Sequence, residues 1–240
     1  MTIEPNSFEF NLLLTLTIIL LAGKLLLTLF LLKKIFENRK KTEKFEMDFV
    51  FGMFILILCF FISRLFYTYF DFFLTEFDSN KYHLPQYVIF WKLGGITYLT
   101  GTAILMFIID KKVLKFKYKG IFAYIIIAVA IYELLYPINT AQDFEFVTIF
   151  EMIGVIVGVI LFPVIFIYLG IRTPRLRMIA FTFAFGIIIY AIGSACVAEF
   201  IIESLVQGFG PNMRIIMWIL SLILKLTGLI MISYSCTKFY

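Results

Sequence analysis

The stretch DFVFGMFILILCFFISRLFYTYFDFF, residues 48–73, decides the fold. It is an apolar run of membrane length with one arginine, Arg64, in its interior. Crossing a bilayer core takes about 20 apolar residues in a helix. A guanidinium placed in hydrocarbon costs roughly 2.5–3.5 kcal/mol on insertion scales. A chain tolerates that where the arginine turns toward partners or water inside a bundle. The remaining sequence is therefore expected to supply the bundle.

Composition agrees. Of 240 residues 62% are hydrophobic, against roughly 45–50% in soluble domains, and the mean hydropathy is +1.00. No polar stretch is long enough for a soluble domain. One all-α, polytopic membrane domain over residues 1–240 is expected, a seven-transmembrane helix bundle. Its spans are read at about 9–32, 48–70, 85–109, 120–137, 147–170, 177–200 and 214–237. Helices are required because lipid offers backbone groups no partner outside a helix or a closed barrel. The alternating pattern of a barrel is missing. The N-terminal MTIEPNSFEFN has no basic residue, unlike the start of a secretory signal peptide, so 9–32 is expected to remain as the first span. Cys59, Cys196 and Cys236 all fall inside spans, which implies no disulfide framework.

Loop charges set the orientation. Lys33, Lys34, Arg39, Lys40, Lys41 and Lys44 lie between the first and second spans. Lys111, Lys112, Lys115, Lys117 and Lys119 lie between the third and fourth, and Arg172, Arg175 and Arg177 between the fifth and sixth. The alternate loops hold only Lys81 and Arg214, with Asp71, Glu76, Asp78, Asp143, Glu145 and Glu203. Lys/Arg bias in short loops places the N-terminus outside and the C-terminus inside a cell membrane. The net charge of +5 thus belongs to the inner face, where each cation near anionic lipid gains about 1 kcal/mol. Expected partners are the lipid bilayer, anionic inner-leaflet lipids and a cytoplasmic or membrane protein. Nucleic acid is not expected, because no recognition fold accompanies the charge.

Glycines mark close helix contacts: Gly94, Gly95 and Gly101, the pair Gly154 and Gly158, and Gly186 and Gly193. The Gly154–Gly158 pair suits packing within one bundle better than a dimer seam. Pro163 is expected to kink the fifth helix, and IRTPRLR, residues 171–177, to form a tight turn. Pro85–Gln86 resembles the dipeptide of PQ-loop transporters, but occurs once.

The informative residues are ionisable groups within spans: Lys24, Arg64, Lys92, Glu133, Glu151, Glu199 and Lys225, one per helix. Intramembrane charges are candidates for function. Most fall in one outer layer, with signs that can pair. Asp71, two turns from Arg64 with Tyr67 between, continues its stripe. Lys24 sits deeper, and its stem is expected to snorkel to the inner headgroups. The candidate ligand pocket comprises Arg64, Lys92, Glu133, Glu199, Lys225, Tyr67, Tyr98 and Ser221. Arg64 would clamp a carboxylate or phosphate with two parallel bonds.

Other chemistry lacks its residues. His83 is the only histidine, and no histidine–cysteine cluster has metal-ligand spacing. No serine has the basic partner a hydrolase needs, and there is no P-loop. No enzyme, metal or cofactor is expected. Lys225 resembles, in position, the retinal-bearing lysine of rhodopsins. Yet Lys92 stands where an acidic counter-ion would be, and Ser221 precedes Lys225 by one turn in place of the usual aspartate. Retinal on Lys225 is not expected.

ISRLFYTYFDFF (62–73), VIFWKLGGITYLTGTAILMFIIDKK (88–112) and IRTPRLRMIAF (171–181) resemble small standalone archaeal seven-helix membrane proteins of uncharacterised function. These are distantly similar to the seven-transmembrane sensor regions of histidine kinases. The resemblance implies Arg64 and Trp91–Lys92 as positions to test. The kinase-type regions feed a cytoplasmic output domain, which is not expected in this chain. The leading expectation is a receptor-like module binding a small ligand in the outer half of the bundle. The alternatives are a small-molecule or proton-coupled transporter, with Lys225 at its midplane site, and a structural scaffold whose charges hold helices in register.

Overall fold

A computed structural model describes residues 3–5, 7–42, 48–210 and 212–239, with the side chains at positions 41, 42, 199 and 200 outside that description. The described residues are all-helical. In chain order the helices are α1 (Phe8–Thr42), α2 (Phe49–Thr68), α3 (Pro85–Lys112), α4 (Ile121–Leu135), α5 (Ala141–Arg172), α6 (Arg177–Ala195), α7 (Glu199–Phe209) and α8 (Asn212–Cys236). Six of them are long and apolar enough to cross a membrane, and α4 is a shorter apolar helix.

Local chemistry fixes several ends. Asp48 caps α2, accepting the Phe51 amide at 2.7 Å. Thr140 and Asp143 form a reciprocal capping box on α5, and Pro85 opens α3, where its missing N–H has no cost. Three boundaries differ from the apolar runs. α1 continues well past residue 32 into the basic segment. Lys33 and Lys34 flank Glu37 at 4.0 and 2.6 Å, and such pairs one turn apart support a polar helix. α2 passes into a π-helical turn, Tyr69–Leu74. The run read as one span at 177–200 breaks at Cys196–Ala198, and the segment beyond it, read as a loop, is the helix α7. With neither Gly nor Pro at the break, apolarity alone did not locate it.

Close contacts give the direction of each helix. Thr17 meets Arg64 and Lys24 meets Phe60, so α1 and α2 are antiparallel. Gly94 packs on Tyr67 and Gly101 on Cys59, which sets α2 against α3. Lys92 reaches Tyr136, which makes α4 antiparallel to α3. Gly154 faces Leu99 and Gly158 faces Thr102, so α5 runs parallel to α3. Both glycines thus face into the bundle. α6 crosses α8 with Gly186 against Gly228, where an added Cβ on Gly228 would stand 2.6 Å from the Gly186 carbonyl oxygen. Glu9 pairs with Arg214 at 3.2 Å and Gly23 meets Leu226, so α8 closes the ring beside α1, parallel to it.

α1, α3, α5 and α8 therefore point one way, and α2, α4 and α6 the other. The α1–α2, α3–α4 and α5–α6 connections gather at one end, with their lysines and arginines; Lys44 and the side chain of Lys41 lie outside the described residues. Asp110, buried at the foot of α3, ties down the α3–α4 loop by accepting the Tyr118 amide at 3.1 Å and the Gly120 amide at 2.6 Å. Near the same end, the rings of Phe49, Phe166, Phe183 and Phe239 pack together in tilted and edge-on pairs. The opposite end is roofed by Phe10, Phe72, Ile202 and Trp218, with Ile202 supplied by α7. α5 runs on through Pro163 without interruption.

Candidate functional site

Beneath that roof lies a cavity of about 190 Å³ between α1, α2 and α8, with Thr17, Arg64, Asp71, Trp218, Ser221 and Lys225 in its wall. Side chains on a helix lean toward its N-terminus. α2 starts at the basic end, so Arg64 leans down into the bundle. α8 starts at the roofed end, so Lys225 leans up. The two cations converge on one space from opposite directions. Asp71 enters from the π-helical turn, a feature that often re-aims side chains at functional sites.

The hydrogen bonds leave both cations with spare capacity. Arg64 Nη2 donates to the Thr17 hydroxyl at 3.2 Å, while its buried Nε has no partner among the described residues. No described carboxylate lies within ion-pair distance of Arg64 or Lys225. Ser221 donates to the Gly193 carbonyl oxygen at 2.6 Å, which pins α8 to α6 and leaves the hydroxyl oxygen free to accept. The described wall thus carries two cationic groups and one carboxylate, over apolar surface from Leu13, Leu20 and Trp218.

Lys24 does not snorkel. It is 4% exposed, donates to the Phe60 carbonyl oxygen at 3.0 Å and sits 5.7 Å from the Phe60 ring centre. The reason is the lean of the side chain: on α1 the stem points toward the roofed end, away from the end that gathers the basic loops. Lys24 follows Leu20 by one turn on the same face of α1, within electrostatic reach of both Arg64 and Lys225.

The expected single pocket divides. Arg64, Ser221 and Lys225 share the cavity; Lys92, Glu133, Tyr67 and Tyr98 are not in its wall. Lys92 caps α4 instead. Its Nζ donates to the carbonyl oxygens of Leu134 at 3.3 Å and Tyr136 at 2.5 Å, where the helix ends against Pro137 and a cation is favoured. Glu133 is buried beside Gly95. Tyr67 donates to Glu151 Oε1 at 2.8 Å. Tyr98 stacks on Phe60 with ring centres 4.7 Å apart, beside a separate, mainly apolar cavity of about 40 Å³. Glu199 opens α7, and its side chain lies outside the described residues.

Sequence reading passed over Thr17 and left Asp71 and Glu151 out of the site. Asp71 was detectable from its spacing to Arg64. Thr17 was not, because a lone threonine in a span usually bonds its own helix backbone. Among the described residues no group of three or more His, Cys, Asp or Glu could hold a metal ion. No protein-family model, curated protein or solved structure matches the chain. Chemistry at the site is therefore the guide to function.

Proposed function

We propose that the chain is a receptor-like module of a cell membrane that binds a small anion, a carboxylate or phosphate, in the α1/α2/α8 cavity. In this reading the protein has seven spans, with the N-terminus outside and the basic loops inside. The alternating directions of α1–α6 and α8 support it. So does the gathering of basic residues at one end, which matches the positive-inside rule. At 15 residues α4 is about 22 Å long, and it crosses with its flanking turns or where the bilayer thins. α7, short and amphipathic, lies in the outer interface as a roof. The signal reaches a partner protein through the inner loops.

One observation carries the ligand assignment: Arg64 and Lys225 line one cavity, and no carboxylate among the described residues is within ion-pair distance of either. The wall carries two cationic groups against one carboxylate, Asp71, which lies within electrostatic reach of Arg64. An excess of positive charge in a low-dielectric site attracts an anion, and the arginine fork suits a planar carboxylate or a phosphate. The volume is below the roughly 300–1,000 Å³ of drug-sized sites, so the ligand is small. The test is calorimetric titration of small carboxylates and inorganic phosphate into protein in nanodiscs. A charge-assisted hydrogen bond contributes about 1.5–3 kcal/mol. Arg64→Ala and Lys225→Met should therefore each weaken binding by about 10- to 100-fold. Wild-type affinity in both variants would remove the cavity from the proposal.

A carrier is the second reading, favoured by Lys24, which extends the line of cations from the cavity toward the bundle centre. Anion accumulation in liposomes containing this protein alone would decide for the carrier over the receptor. Stability losses in the Arg64 and Lys225 variants, with neither binding nor flux in wild type, would leave a scaffold.

A further inference from the structure

A second group of ionisable side chains, away from the anion cavity, joins four helices. Glu133 projects from α4 and is 1% exposed, and neither of its carboxyl oxygens has a hydrogen-bond partner among the described residues. Two adjacent glycines of α3 make the space. A Cβ on Gly95 would collide with the Glu133 carboxyl, and a Cβ on Gly94 would stand 2.9 Å from the Tyr67 ring. The phenol of Tyr67, from α2, donates to Glu151 Oε1, from α5, at 2.8 Å. Glu133 and Glu151 are within electrostatic reach of each other.

The charged and titratable groups facing this site are few. α3 supplies Lys92, whose ammonium is committed to the carbonyl oxygens of Leu134 and Tyr136. It also supplies Tyr98, which feels Glu151. α2 supplies Tyr67, and beyond it Asp71. Glu133 thus has one further carboxyl, Glu151, and one ammonium, Lys92, within electrostatic reach, and that ammonium gives its hydrogen bonds to the end of α4.

An ionised carboxylate buried against Gly95, with no hydrogen-bond donor among the described residues, carries a desolvation cost of several kcal/mol. A second carboxyl nearby raises that cost. A neutral acid avoids the repulsion and most of the desolvation cost. We propose that Glu133 and Glu151 form an intramembrane proton-binding site, in which Glu133 holds the exchangeable proton and Tyr67 fixes Glu151 beside it. The site is independent of the anion cavity. Its ligand is a proton, and α2 joins the two places by carrying Arg64 into one and Tyr67 into the other.

Infrared spectroscopy of the full chain in nanodiscs tests this directly. Wild-type protein at neutral pH should show a carboxylic acid carbonyl band that moves in heavy water. Glu133→Gln, which mimics the neutral acid in shape, should lose that band and keep the wild-type melting temperature. Three results would overturn the proposal. One is the absence of an acid band from folded wild-type protein, which decides the matter even if the variant fails to fold. Another is a band that survives in folded Glu133→Gln. The third is a melting temperature raised by sodium over choline at equal ionic strength, with the increment lost in Glu133→Gln, which would make the ligand a metal cation.

Discussion

Replacing Lys24 with methionine should stabilise the protein. The ammonium of Lys24 is buried at 4% exposure and has one hydrogen bond, to the Phe60 carbonyl oxygen at 3.0 Å. That oxygen lies within α2, so the contact is a shared acceptor rather than a dedicated counter-ion. Arg64 and Lys225 add repulsion. Removing an ammonium from water costs several kcal/mol even after relaxation, and one charge-assisted bond returns about 1.5–3 kcal/mol. Methionine keeps most of the apolar stem and adapts to irregular space. The net effect should be stabilisation by about 1–3 kcal/mol. For a chain of this size each kcal/mol moves the midpoint by about 2–4 °C, so Tm should rise by roughly 2–12 °C. Thermal unfolding followed by circular dichroism in one detergent, wild type beside Lys24→Met, reads the shift. A lower Tm in a variant that still folds would refute the reasoning, since it would make Lys24 a net contributor to packing. A higher Tm would mark Lys24 as retained at a cost in stability, which is what a functional cation does.

Two further outcomes check the separation of the charge clusters and the anchoring of the α3–α4 loop. Lys92→Met removes both bonds to the end of α4 and should lower stability by about 2–3 kcal/mol, while leaving anion binding in the α1/α2/α8 cavity unchanged. Loss of binding with the fold intact would show that the two clusters act as one site. Asp110→Ala strands the amides of Tyr118 and Gly120 and should cost about 2–4 kcal/mol. Limited proteolysis of the α3–α4 loop should accelerate with it, and an unchanged cleavage rate would show that the loop holds without the carboxylate.

Much of the molecule was legible in the chain. The apolar runs located every long helix, because a span must satisfy its own backbone. Gly154 and Gly158 were readable as internal packing, since small residues one turn apart admit a neighbouring helix. Arg64 was readable as a residue needing an interior. Errors arose where the chain alone does not set direction. Lys24 in the inner half of its span looked able to reach the inner headgroups, but a side chain leans toward the start of its own helix, and on α1 that is the far end. Lys92 and Arg64 occupy similar depths, yet one faces the open end of α4 and the other a cavity. Depth follows from sequence position; azimuth depends on which neighbour each helix meets.

The sequence by itself determined that the chain is helical, with runs long and apolar enough to cross a membrane, ionisable groups inside those runs and basic residues gathered at one end. Those properties depend on the solvent, and the bilayer imposes them on any chain one segment at a time. Tertiary structure alone decided which charges share a space. α8 packs beside α1 to place Lys225 opposite Arg64, while α4 packs on Gly95 to bury Glu133 near Glu151. These partnerships join residues on separate helices, and each depends on a close helix crossing that no local pattern encodes.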